Sequence, residues 1–187
     1  MMLKCGCDEV GRGSAVAEVY AAAVILNPAV AIPGLTDSKK LSSKKREILA
    51  EQIKRDALSW CIAYSSLEEV EKLNVHYASL LAMKRAIDGL SIRPDKVLVD
   101  GKYTPNVMME ATAIVKGDAT VPEISAASII AKVARDHCLM KYHLLYPVYG
   151  FHENMGYLTP QHLAALREFG PCPIHRKTYK PIRELLY

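Results

Sequence analysis

The feature that most constrains the fold is a pair of apolar segments on either side of a glycine-rich turn. Met2 to Cys7 and Glu18 to Leu26 read as strands, and Gly11-Arg12-Gly13-Ser14 lies between them. That arrangement predicts a hairpin. After it, strand and helix patterns alternate. Ser42 or Ser43 can cap a helix running to about Ala57, and Leu58 to Ser65 reads as a third strand. Leu73, Tyr77, Leu80, Met83, Ile87 and Leu90 recur at helical spacing. Lys96 to Val99 and Ala111 to Val115 are two more short strands. Thr120-Val-Pro-Glu123 matches a capping box with an early proline, ahead of a helix that Pro147 stops near Leu145. Thr159-Pro160 starts a shorter helix and Gly170-Pro171 ends it. The order β-β-α-β-α-β-β-α plus a helical tail predicts an α/β fold, a mixed sheet with helices packed on it.

With 187 residues, half of them apolar, the chain can bury a full core as one domain. The composition excludes disorder, collagen-like repeats and a disulfide-rich mini-protein. The net charge of +4 is small, but it is unevenly spread. Residues 1–131 carry 16 basic and 16 acidic side chains, whereas residues 132–187 carry 8 and 4. Five of the six histidines also fall in that second stretch. A basic end on a neutral body suits an anionic partner; a solvated helical surface would give the same count.

No basic segment leads into an apolar one near Met1, and the longest apolar run, Val19 to Leu26, is too short to span a bilayer. The expectation is a soluble cytoplasmic protein. Cys5, Cys7, Cys61, Cys138 and Cys172 contain no CxxC pair, which argues against a disulfide framework or a zinc site. Cys5 and Cys7 would share one face of a strand as buried thiols.

Four acidic residues stand apart from the helical charge patterns. Asp8 and Glu9 end the first strand, Asp100 ends Val97-Leu98-Val99, and Asp118 follows the strand Ala111 to Val115. Strand ends are where sites are assembled in sheet-and-helix folds. Carboxylates converging there would repel one another unless cations offset them, and an all-oxygen set suits Mg²⁺ or Mn²⁺. Two such ions fit phosphodiester hydrolysis. Taken singly, each of these acids also reads as an ordinary turn former beside a glycine.

Cys7-Asp8-Glu9-Val10-Gly11-Arg12-Gly13 resembles the ribonuclease HII family. Further segments match in order: Asp37-Ser38-Lys39-Lys40-Leu41-Ser42, Leu81 to Ile87, Val99-Asp100-Gly101 and Val115-Lys116-Gly117-Asp118. Ala126 to Asp136, Tyr149-Gly150-Phe151, Gly156-Tyr157-x-Thr159 and Pro173-Ile174-His175-Arg176 complete the set. The resemblance implies an RNase H-like five-stranded sheet flanked by helices, in one domain over 1–187 with 137–187 as a helical C-terminal extension. It implies cleavage of RNA in RNA–DNA hybrids and on the 5′ side of single ribonucleotides in duplex DNA, leaving 3′-OH and 5′-phosphate. It implies Asp8, Glu9, Asp100 and Asp118 as catalytic carboxylates holding two Mg²⁺ or Mn²⁺ ions in a monomer. Gly11, Arg12, Gly13 and Tyr157 would read the ribose–deoxyribose junction. Glycines let backbone approach a sugar edge and sense its 2′-OH, while the tyrosine ring would pack on a deoxyribose. Lys39, Lys40 and Lys132 are candidate phosphate contacts. His152, His162 and His175 are expected in packing or phosphate contact, not in an assigned proton transfer.

The departures are local. Ser14-Ala-Val-Ala-Glu18 stands where the family usually has a proline and a further Gly-Pro, and Glu18 adds a negative charge near the expected site. Glu123-Ile-Ser125 replaces a more usual Ser-Ile-Ala. Asp at position 118 and the lack of an additional domain before the first strand favour HII over HIII. Two other readings are a recognition module without turnover and a junction resolvase of related fold.

Overall fold

A computed structural model describes residues 2–186. Strand β1 (Lys4–Val10) pairs antiparallel with β2 (Val19–Ile25), and β2 with β3 (Ser59–Ser65). Strand β4 (Lys96–Asp100) lies parallel to β1, and β5 (Glu110–Ile114) parallel to β4. The sheet order is β3-β2-β1-β4-β5, the mixed five-stranded sheet expected.

Helices cover both faces, and the alanines of β2 make room for them. Ala22 and Val24 pack with Ala126, Ile129 and Ile130 of α4 (Pro122–Leu145) and with Leu49 and Ile53 of α1 (Ser43–Asp56). Ala21 and Ala23 face the other way, onto Ala82, Met83 and Ala86 of α2 (Leu67–Asp88). Cys5 and Cys7 join that second cluster as buried free thiols. Gly6 faces α4 at very close range. A Cβ there would lie 2.0 Å from the Glu123 carbonyl carbon, so only glycine lets this helix start so near the strand.

A third apolar cluster holds the C-terminal segment. Leu139 of α4, Phe151 of α5 (Phe151–Asn154), Leu166 of α6 (Pro160–Phe169) and Ile182 of α7 (Lys180–Leu186) pack around Ala15, Val16 and Ala17. The position 137 expected to open the extension falls inside α4, so body and extension share one helix. No described helix is long and apolar enough to cross a membrane.

Several local expectations need correcting. β1 runs on to Val10, so Asp8 and Glu9 lie within a strand and not past its end. Residues 11–18 then form a longer connection than the tight turn expected. Helix α2 starts at Leu67, where Ser66 and Glu69 form a reciprocal capping box. It breaks at Asn74 (φ 68°), whose Oδ1 accepts from His76 N–H at 2.9 Å and restarts the helix. The capping box expected at Thr120 does not form. Val121 is the cap residue, and Thr120 Oγ1 donates to the Lys116 carbonyl because Gly117–Thr120 already makes a helical turn, α3. Thr159 does cap α6, accepting from His162 N–H at 3.2 Å.

Candidate active site

The register of β1 and β4 brings the first two acids together. Cys7 lies beside Val99, so the next residues, Asp8 and Asp100, stand side by side at one end of the sheet. Successive side chains of a strand alternate in face, so Asp8 turns toward α4 with Val10, and Glu9 toward α2 with Cys7. Asp118 arrives on α3, its N–H donating to Asp100 Oδ1 at 3.1 Å. Asp8 is buried and its Oδ1 accepts from Glu9 N–H at 2.8 Å.

This set carries more negative charge than its surroundings offset. Burial pushes the Asp8 carboxyl well above the usual carboxylate range, with Glu9 and Asp100 adding to the rise, while a hydrogen bond from Ser128 opposes it. Burial also raises Asp118, helped by Asp100 and Asp37 and opposed by Lys39. Glu9 Oε1 accepts from Arg12 Nη1 at 3.2 Å, but its buried Oε2 has no partner among the described residues. An unpartnered carboxylate oxygen beside a buried acid, in an all-oxygen set, fits a hard divalent cation. Among the described residues no three such ligands already form a closed cage; the four acids border an open cleft.

That cleft has a volume of about 540 Å³ and gathers most of the residues singled out in the sequence. Asp8, Glu9, Gly11, Arg12, Gly13, Lys39, Asp100, Asp118, Lys132 and Tyr157 all line it. Lys40 does not; it is exposed at the end of a 3-10 turn spanning Ser38–Lys40. Lys132 reaches the cleft but is already paired with Asp136 at 2.7 Å. Glu18 is turned away. Its carboxylate accepts from Tyr142 Oη at 2.8 Å and lies near Cys138 Sγ, so its charge faces the extension and not the cleft. His162 and His175 are fully buried and unavailable to phosphate, and exposed His152 stacks on His143 outside the cleft lining.

The junction-reading candidates are brought together and held from behind. The Tyr157 ring lies over Gly13, its Cε1 3.5 Å from where a Cβ would sit on that glycine. Gly11 has φ +97°, and a Cβ there would lie 2.2 Å from Arg135 Nε. Buried Arg135 donates to the carbonyls of Val16, Glu18 and Met155. Buried Arg176 donates to those of Arg12, Ser14, Ala17 and Glu18. These two guanidinium groups hold a loop that lacks prolines. The sequence reading missed them, along with Ser38 and Ser128, whose hydroxyls lie 2.9 Å apart behind Asp8. A signal was present: Ser125, Ser128, Lys132 and Arg135 make a polar stripe at helical spacing down an otherwise apolar helix.

Known proteins match the chain along nearly all of its length. A family model described as ribonuclease HII matches residues 5–182. The chain is 66% identical to ribonuclease HII of Desulforamulus reducens over 186 residues, covering 100% of this chain and 94% of that protein. It is 54% identical to ribonuclease HII of Natranaerobius thermophilus over 187 residues, again covering 100% and 94%. The crystal structure of ribonuclease H2 from Pyrococcus horikoshii superposes with a TM-score of 0.84, at 24% identity, over 98% of this chain and 97% of that one. With the match running through nearly every element that builds the cleft, the chain belongs to the ribonuclease HII family and is a ribonuclease H, a phosphodiester hydrolase.

Proposed function

We propose that this chain is an endoribonuclease with two linked activities. It cuts the RNA strand of RNA–DNA hybrids, and it incises duplex DNA on the 5′ side of a lone ribonucleotide, leaving 3′-OH and 5′-phosphate ends. Asp8, Glu9, Asp100 and Asp118 would hold two Mg²⁺ or Mn²⁺ ions. When bound, such ions supply an activated water and offset charge on the leaving oxygen. The observation that carries this reading is the buried Asp8 between Glu9 and Asp100, with Glu9 Oε2 unpartnered among the described residues.

The chain's own groups supply recognition. The Gly11–Gly13 backbone admits a sugar edge and meets its 2′-OH, and Tyr157 packs on the neighbouring deoxyribose. Lys39 is the better placed phosphate contact, since Lys132 shares its charge with Asp136 and Lys40 stands outside the cleft. In this reading residues 1–187 work as one catalytic domain, with 137–187 as its extension, in a cytoplasmic monomer.

Incubation with a duplex carrying one ribonucleotide tests the reading. One incision with Mg²⁺ or Mn²⁺ is expected, and no product with either ion overturns it. Salt-dependent hybrid binding without product would instead favour a recognition module. Cutting of four-way DNA junctions without ribose would favour a resolvase.

A further inference from the structure

Behind Tyr157 lies a chain of hydrogen bonds that no part of the carboxylate chemistry uses. The Tyr157 carbonyl accepts from Thr159 N–H at 2.9 Å and faces His162 Nδ1 at 2.9 Å. His162 Nε2 meets His175 Nε2 at 3.0 Å. His175 Nδ1 meets Cys172 N–H at 2.9 Å and Cys172 Sγ at 3.1 Å. Both imidazoles are fully buried among the Tyr149 and Phe151 rings.

The proton positions in this chain follow from one end. A carbonyl only accepts, so His162 Nδ1 must donate. Burial holds both rings below the usual histidine pKa, His175 down to about 4, so each carries one N–H. His162 Nε2 is then an acceptor, and His175 Nε2–H donates to it. His175 Nδ1 is therefore bare and accepts from the Cys172 N–H and thiol. Every donor points toward Tyr157. The same segment also holds the other reading element: Arg176 N–H donates to the Ala15 carbonyl, and Val16 bridges to His175.

We propose that His162, oriented by His175, is a positioning residue for Tyr157 and thereby sets selectivity for the ribose–deoxyribose junction. The proposal rests on the reading of Tyr157 as the residue that packs on deoxyribose. It predicts an effect on junction recognition and little on the chemical step.

Two isosteres separate the roles. In His162→Asn the amide nitrogen falls near the Nδ1 position and keeps the donor to Tyr157. In His162→Gln it falls near Nε2 and loses that donor. On a duplex with one ribonucleotide, His162→Gln should raise KM about fivefold with kcat within about twofold, the scale of one buried hydrogen bond. His162→Asn should stay within about twofold of the parent KM. A continuous RNA–DNA hybrid has no deoxyribose on the cut strand, so its KM should not move in either variant. In a Tyr157→Ala background, His162→Gln should add nothing further.

Equal losses in the Asn and Gln variants, equal losses on both substrates, or additivity with Tyr157→Ala would overturn the proposal. Should His162→Gln not fold, His175→Asn tests the same point, because its shorter amide no longer donates to His162 Nε2; it should raise KM on the duplex with one ribonucleotide and not on the continuous hybrid, and an unchanged KM on both would overturn the relay. Tyr157→Ala alone isolates the underlying reading. If it leaves the junction KM unchanged, that reading fails and this inference with it. If it raises KM while His162→Gln does not, only this inference fails.

Discussion

The carboxylate end of the sheet and the buried core of the extension treat polar groups in opposite ways. At the sheet end, four acids share one cleft, two of them, Asp8 and Asp118, are pushed toward neutrality by burial, and one buried oxygen has no partner among the described residues. Where the extension packs on the body, buried Arg135 and Arg176 donate to six different backbone carbonyls, and two buried imidazoles share one directed chain. One region holds unmet charge, which suits it to a charged ligand. The other meets the polar groups of its two arginines and of the His162–His175 pair, with His143 Nδ1 as its one buried side-chain polar atom lacking a partner among the described residues, which suits it to holding backbone in place. The division teaches that reactivity and recognition draw on different physics within one small fold, and that the loop Gly11–Glu18 is where they join.

The largest effect should come from removing a charge at the sheet end. Asp100→Asn keeps the shape and the acceptor for Asp118 N–H, but removes a negative charge from the proposed cation site. Cleavage should fall on the order of 10³-fold, since cation-based stabilisation is worth several kcal/mol. The fold should stay intact, as read by circular dichroism. The companion Asp8→Asn should melt higher than the parent at neutral pH in chelator. The sign follows from the raised Asp8 pKa: its stabilising contribution is full below the unfolded carboxylate pKa and lost as pH rises through the folded value. The advantage of Asn should therefore vanish in acid, and an advantage that persists there would break the account.

The next effect belongs to the extension. Arg176→Met removes a buried guanidinium and strands the carbonyls of Arg12, Ser14 and Ala17, while that of Glu18 keeps its donor from Arg135. Urea unfolding should show a loss of about 3–5 kcal/mol. A loss under about 1 kcal/mol would mean that the loop finds other donors, and the contrast between the two regions would weaken.

Acid should separate the regions a third way. His175 is held near 4 in the folded chain, against about 6.5 when unfolded. The unfolded chain therefore binds more protons between those values. Stability is complete above about pH 6.5 and should be lost as pH falls toward 4, by about 2 kcal/mol near pH 5. His175→Gln should flatten that slope. An unchanged slope would place the acid sensitivity elsewhere.

Much of this molecule could be read from the chain because its signals were local. Alternating strand and helix periodicity carried the mixed sheet. Asp8, Glu9, Asp100 and Asp118 stood out because each breaks a pattern beside a glycine or at a strand end. What stayed hidden depended on partners far away in sequence. Arg135 and Arg176 look like ordinary surface charges until residues 15–17 pair with 174–176 and enclose them. Thr120 matched a cap by spacing, yet the turn at Gly117–Thr120 had already claimed its hydroxyl. Lys40 sits beside Lys39 in sequence, but the 3-10 turn sends them to different places.

Glu18 gives the smallest and sharpest test of where the two regions meet. By sequence it places a negative charge near the cleft, where it should weaken a polyanionic substrate. In the fold its carboxylate accepts from Tyr142 Oη, outside the cleft lining. It also opposes the burial that pulls Arg135 and Arg176 down, so it acts as a counter-charge for the loop's clamps. Glu18→Gln keeps the hydrogen bond to Tyr142 and loses only the charge. The expected result is a loss of about 1 kcal/mol in urea unfolding, the difference between a charged and a neutral hydrogen bond. Substrate KM should stay unchanged. If KM instead falls and stability holds, the charge is felt in the cleft, and the buried extension is not the self-contained clamp that the comparison requires.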